Sequence, residues 1–181
     1  MKNSIFKKDL YRYYGDKGES LKDRLLRPLE LKYIRAMRKV QQAKCPLSRF
    51  YYKLILKRLS RKTQIQIPAA TKIAEGLYIG HCGRIIINPK TVIGKNVNIS
   101  TGVIIGQENR GKRIGAPTIG DNCWIGANAV IVGNVKIGSD VLIAPLAFVN
   151  FDVPDHSVVI GNPAKIIHKD NATEGYVNRT V

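Results

Sequence analysis

The sequence predicts a mainly β protein, a solenoid of parallel strands with triangular coils that follows a short helical region. Branched aliphatic residues recur at every sixth position, and glycine often follows them directly. The first third of the chain lacks this repeat and shows apolar residues at helical spacing. A six-residue period fits neither an amphipathic helix nor a sandwich with strands of irregular length. A solenoid with three-sided coils is the architecture that remains.

The repeat begins after Pro68 and runs in two phased series. Its members are Ile87, Ile93, Ile99 and Ile105, then Ile119, Ile125, Ile131, Ile137, Ile143 and Val149. Each is expected to point inward and to stack on its equivalent one coil away, while the neighbouring glycine permits a tight corner. The stacked coils would therefore bury a continuous aliphatic column.

Two breaks in the register predict loops. The first lies near His81, because Ile73 and Ile79 are two positions out from the later frame. The second is the polar segment 107–113, which separates two repeats that are fourteen positions apart where twelve would keep phase. Functional sites tend to be built at such interruptions, because the scaffold is rigid and the loop is free to vary.

The chain is expected to have three parts: a basic helical region at residues 1–65, called the head, a β-helix domain at 66–167 and a tail at 168–181. A length of 181 residues suffices for one core and is short for two independent domains. Exposed strand edges would polymerise, so we expect the head to cap one end of the solenoid and the irregular segment 151–165 to cap the other.

The net charge of +17 is concentrated near the amino terminus, where residues 1–62 hold nineteen Lys or Arg and five Asp or Glu. One interpretation of this charge is that the head is a helical cap whose basic residues face solvent and bind nothing, because charged residues mostly lie on the surface. A second is binding to an anionic membrane, since residues 49–59 interleave cations with aromatic and aliphatic side chains. Nucleic acid is a weaker third interpretation, because no recognised motif accompanies the charge.

The sequence also predicts a cytoplasmic protein, with a possible position at the inner face of the membrane as the second interpretation implies. Its three cysteines, Cys45, Cys82 and Cys123, are far apart and odd in number, which is typical of reduced thiols. There is no apolar stretch of about 18 residues, and the amino terminus is charged where a signal peptide would be apolar.

Histidine is the usual general base near neutral pH, and the chain contains three. His156 and His168 lie near the carboxyl terminus, where solvated side chains are expected. His81 lies inside the repeat at a register break. From the residues alone, a single histidine in a turn is more often structural than catalytic.

Four short segments identify a relationship: Gly-Leu-Tyr-Ile-Gly-His at 76–81, Pro-Thr-Ile-Gly at 117–120, Trp-Ile-Gly-Ala-Asn at 124–128 and Gly-Asn-Pro-Ala-Lys at 161–165. In this order and spacing, residues 67–167 resemble the catalytic domain of serine acetyltransferases. The resemblance is closer in detail to related acetyltransferases encoded with bacterial capsule and exopolysaccharide genes. It implies a left-handed parallel β-helix of hexapeptide repeats, an acetyl-CoA-dependent O-acetyltransferase and a homotrimer.

The resemblance also implies roles for particular residues. His81 would be the general base that takes the acceptor's hydroxyl proton. Acetyl-CoA would lie in a groove between adjacent subunits, at the matching positions Gly106, Gly126, Ala127, Ala144 and Pro145, with Lys165 meeting a coenzyme phosphate. Corner geometry alone would also explain the small residues. No metal is implied, and a metal-dependent β-helix hydratase is disfavoured because only His81 lies in the coils.

Three positions depart from the serine acetyltransferase pattern. Gly80 replaces an aspartate that binds the substrate amine, and Ala116 replaces a histidine that engages its carboxylate. Each lost partner costs on the order of 1.5–3 kcal/mol. Gln66 replaces the carboxylate that orients the histidine, so it can hold the His81 ring by a hydrogen bond but cannot stabilise an imidazolium by charge.

These departures predict that the acceptor is a sugar hydroxyl of a surface polysaccharide or of its precursor. Serine O-acetyltransferase is the enzymatic alternative. A catalytically silent β-helix scaffold is the alternative from another class, which the substitution at Gln66 keeps open.

Overall fold

The computed structural model describes residues 4–181, which form four α-helices followed by a parallel β-solenoid. The helices are α1 (Ile5–Tyr14), α2 (Leu21–Leu25), α3 (Leu29–Gln42) and α4 (Pro46–Thr63), with a short 3-10 turn at Gly15–Lys17. The helices α3 and α4 pack against each other along the head. None of these described helices has the length and apolar character needed to cross a membrane.

Fifteen short strands follow within the described residues. They are β1 Ile65–Gln66, β2 Lys72–Ile73, β3 Tyr78–Ile79, β4 Ile85–Ile87, β5 Val92–Ile93, β6 Asn98–Ile99, β7 Ile104–Gly106, β8 Thr118–Ile119, β9 Trp124–Ile125, β10 Val130–Val132, β11 Lys136–Ile137, β12 Val141–Ile143, β13 Phe148–Val149, β14 Ser157–Ile160 and β15 Lys165–His168.

The strands form three sheets, and each full coil gives one strand to each sheet. Sheet A has the order β1-β4-β7-β10-β13, sheet B the order β2-β5-β8-β11, and sheet C the order β3-β6-β9-β12-β14. All of these neighbours are parallel, and β15 closes sheet C as an antiparallel strand beside β14. The predicted fold class, a left-handed parallel β-helix with a helical amino-terminal region, is confirmed.

The predicted aliphatic column forms the core. Every third member of the six-residue series stacks in one sheet, so that Ile87 pairs with Ile105, and Ile105 with Ile131. These side chains are at most 2% exposed. Burying one such side chain contributes about 1.5–3 kcal/mol, and the repeated stacking makes the solenoid a rigid scaffold.

Both predicted register breaks are loops in the structure. After β3, residues 80–84 form an irregular turn, called the His81 turn, before β4 begins. Gly83 in this turn has a φ of 150°, and a Cβ there would lie 1.9 Å from the Thr101 hydroxyl oxygen, so only glycine fits. The second break leaves the coil as a loop with a bridge between Glu108 and Gly115.

A buried ion pair fastens the head to the first coil. Arg38 donates from Nε and Nη2 to the Asp9 carboxylate, at 2.8 and 3.1 Å. Its Nη1 and Nη2 also donate to the carbonyl oxygens of Ile73 and Ala74, at 2.7 and 2.6 Å. Asp9 in turn accepts from the backbone N–H of Leu77 at 2.9 Å. Because both side chains are almost completely buried, these bonds fix α1 and α3 against the coil.

The carboxyl-terminal residues return along sheet C to the head. The Tyr176 ring lies 4.9 Å from the Trp124 ring, centroid to centroid. Further along, Arg12 Nε donates to the Asn178 carbonyl oxygen at 2.8 Å, and the Val181 N–H donates to Asn96 Oδ1 at 2.9 Å. The end of the chain therefore connects the solenoid to helix α1.

We expect Arg38→Ala to lower the free energy of unfolding by about 3–5 kcal/mol, because it leaves the Asp9 carboxylate buried without its cation. Urea denaturation of the full chain measures the change. The matched control is Lys8→Ala, which breaks the more exposed 2.9 Å pair with Glu75 and should change stability by only about 0–1 kcal/mol. Equal losses in the two variants would contradict this account of the head.

Candidate active site

His81 lies in the turn that joins sheet C to sheet A, immediately after Gly80. Its side chain is exposed, and among residues 4–181 no hydrogen-bond partner is found for its ring. The turn itself is anchored, because the Gly83 N–H donates to the Thr63 carbonyl oxygen at 2.9 Å. An accessible imidazole on an anchored turn is suited to act as a general base.

Tyr13 from helix α1 supports this turn from behind. Its hydroxyl donates to the Ile79 carbonyl oxygen at 2.8 Å and accepts from the Ile79 N–H at 3.0 Å. Burial raises the pKa of the Tyr13 hydroxyl far above its usual value, so it remains a protonated donor. The Tyr13 ring also packs on Tyr78, with 4.6 Å between centroids. The head therefore fixes the backbone that leads into His81.

Gly80 leaves open space beside the histidine. A Cβ at this position would lie 3.4 Å from the nearest ring carbon of Tyr78 and 3.9 Å from its hydroxyl oxygen, which is ordinary contact. Apart from the two chain neighbours, no other atom of the described residues would lie within 4 Å of that Cβ. The glycine is thus not required by packing, and its missing side chain widens the surface next to His81.

The head also brings a carboxylate to the His81 turn. Glu30, in the first turn of α3, accepts a hydrogen bond from the Cys82 thiol, with 3.2 Å between sulfur and Oε2. Partial burial of the sulfur and the Glu30 charge raise the pKa of Cys82 to about 11, so the thiol stays protonated and donates. The sequence analysis did not single out Glu30, because 52 positions separate it from Cys82 and no local pattern links the two.

Gln66 ends strand β1 and points outward from sheet A, where it pairs with Ile86 of β4. Within residues 4–181 no hydrogen bond joins its side-chain amide to the His81 ring. The role of Gln66 in orienting the base stays a prediction from the resemblance.

Four of the predicted coenzyme positions meet at one edge of the solenoid. Gly126 and Ala127 form the corner after β9, and Ala144 and Pro145 form the corner after β12 in the next coil. The two corners are joined by hydrogen bonds, from the Gly126 N–H to the Ile143 carbonyl oxygen at 2.8 Å and from the Leu146 N–H to the Ala127 carbonyl oxygen at 3.0 Å.

The other two predicted positions are Gly106 and Lys165. Gly106 pairs with Val132 at the far end of sheet A, where the second loop leaves the coil. Lys165 begins strand β15, and its side chain is exposed. The strand register therefore places Lys165 at the same end of sheet C as the corner at Ala144, because Lys165 pairs with Ile160 and the preceding Val159 pairs with Ile143. Only Gly106 lies elsewhere, at the end of a sheet A strand.

Gly126 and Gly106 lack a side chain for different reasons. A Cβ on Gly126 would lie 2.6 Å from the Pro145 nitrogen and 2.8 Å from the Ile143 carbonyl oxygen, so coil packing alone requires glycine there. At Gly106 the nearest atom would be a Val132 methyl carbon at 3.4 Å. Packing does not explain Gly106, which leaves it the stronger candidate for contact with a ligand.

His156 and His168 are far from the His81 turn in the sequence, and each lies beside an aspartate. His156 Nδ1 lies 2.8 Å from an Asp140 carboxylate oxygen, and this hydrogen bond raises the pKa of His156. The same carboxylate accepts from Thr173 and so holds the returning end of the chain. His168 is exposed beside Asp170. In the described part of the chain, no group of three or more His, Cys, Asp or Glu side chains is arranged to hold a metal.

The chain is similar to known proteins over the solenoid. Residues 116–150 match the family described as bacterial transferase hexapeptide (six repeats). Serine acetyltransferase 4 of Arabidopsis thaliana is 41% identical over 112 residues, covering 61% of this chain and 31% of that protein. The serine acetyltransferase of Staphylococcus aureus (strain Mu50) is 40% identical over 115 residues, covering 62% of this chain and 53% of that protein. The chain thus spans about a third to a half of the length of these relatives.

Solved structures extend the similarity into the head. The Neisseria gonorrhoeae serine acetyltransferase in complex with serine superposes with a TM-score of 0.74 at 30% identity, covering 90% of this chain and 67% of that one. The Brucella abortus serine acetyltransferase in complex with Coenzyme A gives a TM-score of 0.74 at 25% identity, covering 91% and 66%. Coverage this high includes helices of the head as well as the coils.

These relatives correct the predicted acceptor. We expected a sugar hydroxyl of a surface polysaccharide and a closer relationship to polysaccharide acetyltransferases, but the similar proteins and structures are serine acetyltransferases. The error has a physical reason. Two positions, Gly80 and Ala116, decided that prediction, whereas side chains of the distant head also reach the His81 turn, as the contact between Glu30 and Cys82 shows.

The parallel solenoid, the match to the hexapeptide family and the similar solved structures all indicate the same family. The chain belongs to the hexapeptide-repeat transferases.

Proposed function

We propose that the protein is an acetyl-CoA-dependent serine O-acetyltransferase. The observation that carries the proposal is the exposed His81 imidazole on a turn that the head anchors through Tyr13. The likeness to a serine acetyltransferase solved with serine supports this acceptor, because it covers 90% of the chain at 30% identity. The activity as an acyltransferase and the acceptor are both part of this proposal.

In the proposed reaction, His81 takes the proton of the serine hydroxyl as the oxygen attacks the thioester carbonyl of acetyl-CoA. The resulting tetrahedral intermediate breaks its carbon–sulfur bond and forms the acetyl ester. The His81 imidazolium then returns the proton to the departing thiolate. Gln66 would hold the ring by a hydrogen bond, and without a charged partner the imidazolium would depend on solvent for further stabilisation.

Acetyl-CoA would bind along the stacked corners at Gly126, Ala127, Ala144 and Pro145, of which Pro145 is exposed and Gly126 is buried. Lys165 would meet a phosphate of the coenzyme by charge. The likeness to a serine acetyltransferase solved with Coenzyme A supports this use of the solenoid. In a homotrimer the groove would be shared by neighbouring subunits, and a monomeric mass in solution would contradict that assembly.

His81→Ala should reduce the turnover number with L-serine by about 10²–10⁴-fold, because the reaction loses its general base. Release of free thiol from acetyl-CoA measures the rate. His168→Ala is the matched control, since this exposed histidine lies outside the turn, and its rate should equal that of the wild type. Wild-type protein that binds Coenzyme A but acetylates no serine would contradict the proposal and favour a silent scaffold.

Gly106→Ala and Gly126→Ala should behave differently. At Gly126 the added carbon overlaps backbone atoms, so the free energy of unfolding should fall by about 1–3 kcal/mol. At Gly106 the carbon fits, so stability should change by no more than about 0.5 kcal/mol, while Coenzyme A affinity should fall about tenfold if the groove passes this residue. Calorimetric titration and urea denaturation measure the two quantities. Unchanged affinity in Gly106→Ala would remove this residue from the binding site.

We also propose that helix α4 binds the anionic surface of a membrane, at its cytoplasmic face. Four exposed apolar side chains follow one face of the helix at i, i+3, i+4 and i+7: Leu47, Phe50, Tyr51 and Leu54. The helix also carries six Lys or Arg and no acidic residue. A groove of about 520 Å³ between α3 and α4 adds the cations of Lys32, Arg35 and Lys39. A second copy would bring like charges together, so an anionic lipid surface fits better.

Sedimentation with vesicles tests this surface. The full chain should bind vesicles of phosphatidylcholine mixed with about a quarter phosphatidylglycerol and should not bind phosphatidylcholine alone. The double variant Phe50→Ser with Leu54→Ser should lose binding, because it removes the apolar part of the face. Leu146→Ser is the control, since this exposed leucine lies on the solenoid. Vesicle binding that survives the double variant, or a change in oligomeric mass caused by it, would overturn the membrane role.

A further inference from the structure

We propose that a cavity on the outer face of sheet C binds a phosphate monoester. This cavity, called the Arg12 cavity, has a volume of about 420 Å³. Its lining comes from helix α1, from strands β3 and β6 and from residues 176–179, and includes Arg12, Tyr13, Tyr78, Asn98, Tyr176 and Arg179. The inference goes beyond the proposed function, because this lining contains neither His81 nor a predicted coenzyme position.

Arg12 is a buried cation without an acidic partner. Three arginines are buried within residues 4–181, each at most 6% exposed: Arg12, Arg27 and Arg38. Arg27 pairs with Glu19 and Arg38 pairs with Asp9, whereas no carboxylate of the described residues lies within 4.0 Å of Arg12. A buried charge without a counter-charge is destabilising, and an anion in the cavity would supply the missing one.

The guanidinium of Arg12 has donors left for a ligand. Its Nε, Nη1 and Nη2 each donate one hydrogen bond, to the Asn178 carbonyl oxygen, the Gly76 carbonyl oxygen and Asn98 Oδ1, at 2.8, 3.0 and 2.6 Å. An arginine carries five N–H groups, so one on each terminal nitrogen has no acceptor among residues 4–181. Burial lowers the pKa of Arg12 to about 10, so the group is still charged near neutral pH.

Arg179 brings a second guanidinium to the same cavity. Its Nη1 donates to the carbonyl oxygen of Tyr13, while Arg12 donates to the carbonyl oxygen of Asn178. These reciprocal bonds join neighbouring residues of the two segments and hold both arginines at one junction. Within the part of the chain that the structure describes, no carboxylate lies within 4.0 Å of Arg179 either. The cavity therefore presents two positive charges.

Two guanidinium groups favour a dianion over a monoanion. A phosphate monoester carries about 1.5–2 negative charges near pH 7 and has three strong acceptor oxygens, whereas a carboxylate carries one charge. Tyr78 and Tyr176 also line the cavity, and no hydrogen bond to either hydroxyl is found among residues 4–181. A phosphate group could thus accept from both N–H and O–H donors.

Calorimetric titration of the full chain with glycerol 3-phosphate, at constant ionic strength, tests the site. The wild type should bind one equivalent per chain. Arg179→Ala should weaken binding by about 10- to 100-fold, because a charge-assisted hydrogen bond is lost. Absence of binding by the wild type would overturn the inference.

The matched control is Lys136→Ala, which removes one exposed cation from sheet B. Its affinity for glycerol 3-phosphate should stay within a factor of about 2 of the wild-type value, because solvent and salt screen an exposed charge. Equal losses in Arg179→Ala and Lys136→Ala would overturn the inference, since they would indicate only general attraction to a protein with a net charge of +17.

A variant that keeps the net charge separates the cavity from the electrostatic field. Asn178→Trp puts a bulky ring at an exposed residue of the lining and should abolish binding of glycerol 3-phosphate. Undiminished binding in this variant would overturn the site. Because Asn178 and Arg179 are exposed, both variants should fold, which urea denaturation checks. Acetate should bind the wild type at least about tenfold more weakly, and equal binding would overturn the assignment to phosphate.

Coenzyme A and membrane lipid are other sources of phosphate groups. Saturating Coenzyme A should leave the affinity for glycerol 3-phosphate unchanged, and displacement would place the phosphate in the coenzyme site and overturn the inference. Vesicle binding should be equal in Arg179→Ala and the wild type. Its loss would assign the cavity to lipid headgroups and also overturn the inference. Since the titration needs no turnover, its result is independent of whether the protein acetylates serine.

Discussion

The buried ion pair between Arg38 and Asp9 is the contact on which the arrangement of the site depends. It joins helices α1 and α3 to the backbone of the first coil, at the carbonyl oxygens of Ile73 and Ala74 and the N–H of Leu77. Burial alone raises the pKa of Asp9, and the Arg38 charge and the N–H bonds work against that shift. Such a pair adds little net stability compared with apolar packing, but it tolerates few alternative geometries. It therefore specifies where the head lies.

The consequence of that placement is a site made from two kinds of structure. The solenoid provides a rigid edge with regular corners, and its first register break provides the His81 turn. The head then contributes Tyr13 behind the turn and Glu30 beside it. The chain end strengthens the same junction, because Arg12 links the Gly76 carbonyl oxygen to the Asn178 carbonyl oxygen, at 3.0 and 2.8 Å. In the proposed enzyme, the head and the coils would therefore contribute to the site separately.

The fold could be predicted from the sequence because its cause is local and periodic. A six-residue aliphatic repeat determines the coil, and a change of phase reveals each loop, including the one that carries His81. The acceptor could not be predicted in the same way. Gly80 shows that a charged side chain is missing from the turn. The contact between Glu30 and Cys82 could not be predicted, because 52 positions separate the two residues. The difference in packing between Gly106 and Gly126 could not be predicted from the sequence either, because it depends on atoms of the neighbouring coil.

The central claim is that this head and this solenoid together make an acceptor site for serine, and identification of the reaction product tests it most directly. The full chain would be incubated with acetyl-CoA carrying a carbon-13 label in the acetyl group and with equal amounts of L-serine and 3-hydroxypropanoate, which lacks the ammonium group of serine. The labelled products would be assigned by NMR. The account predicts that the label appears chiefly as an ester on the serine oxygen. Label found only as free acetate, or shared equally by the two acceptors, would contradict it.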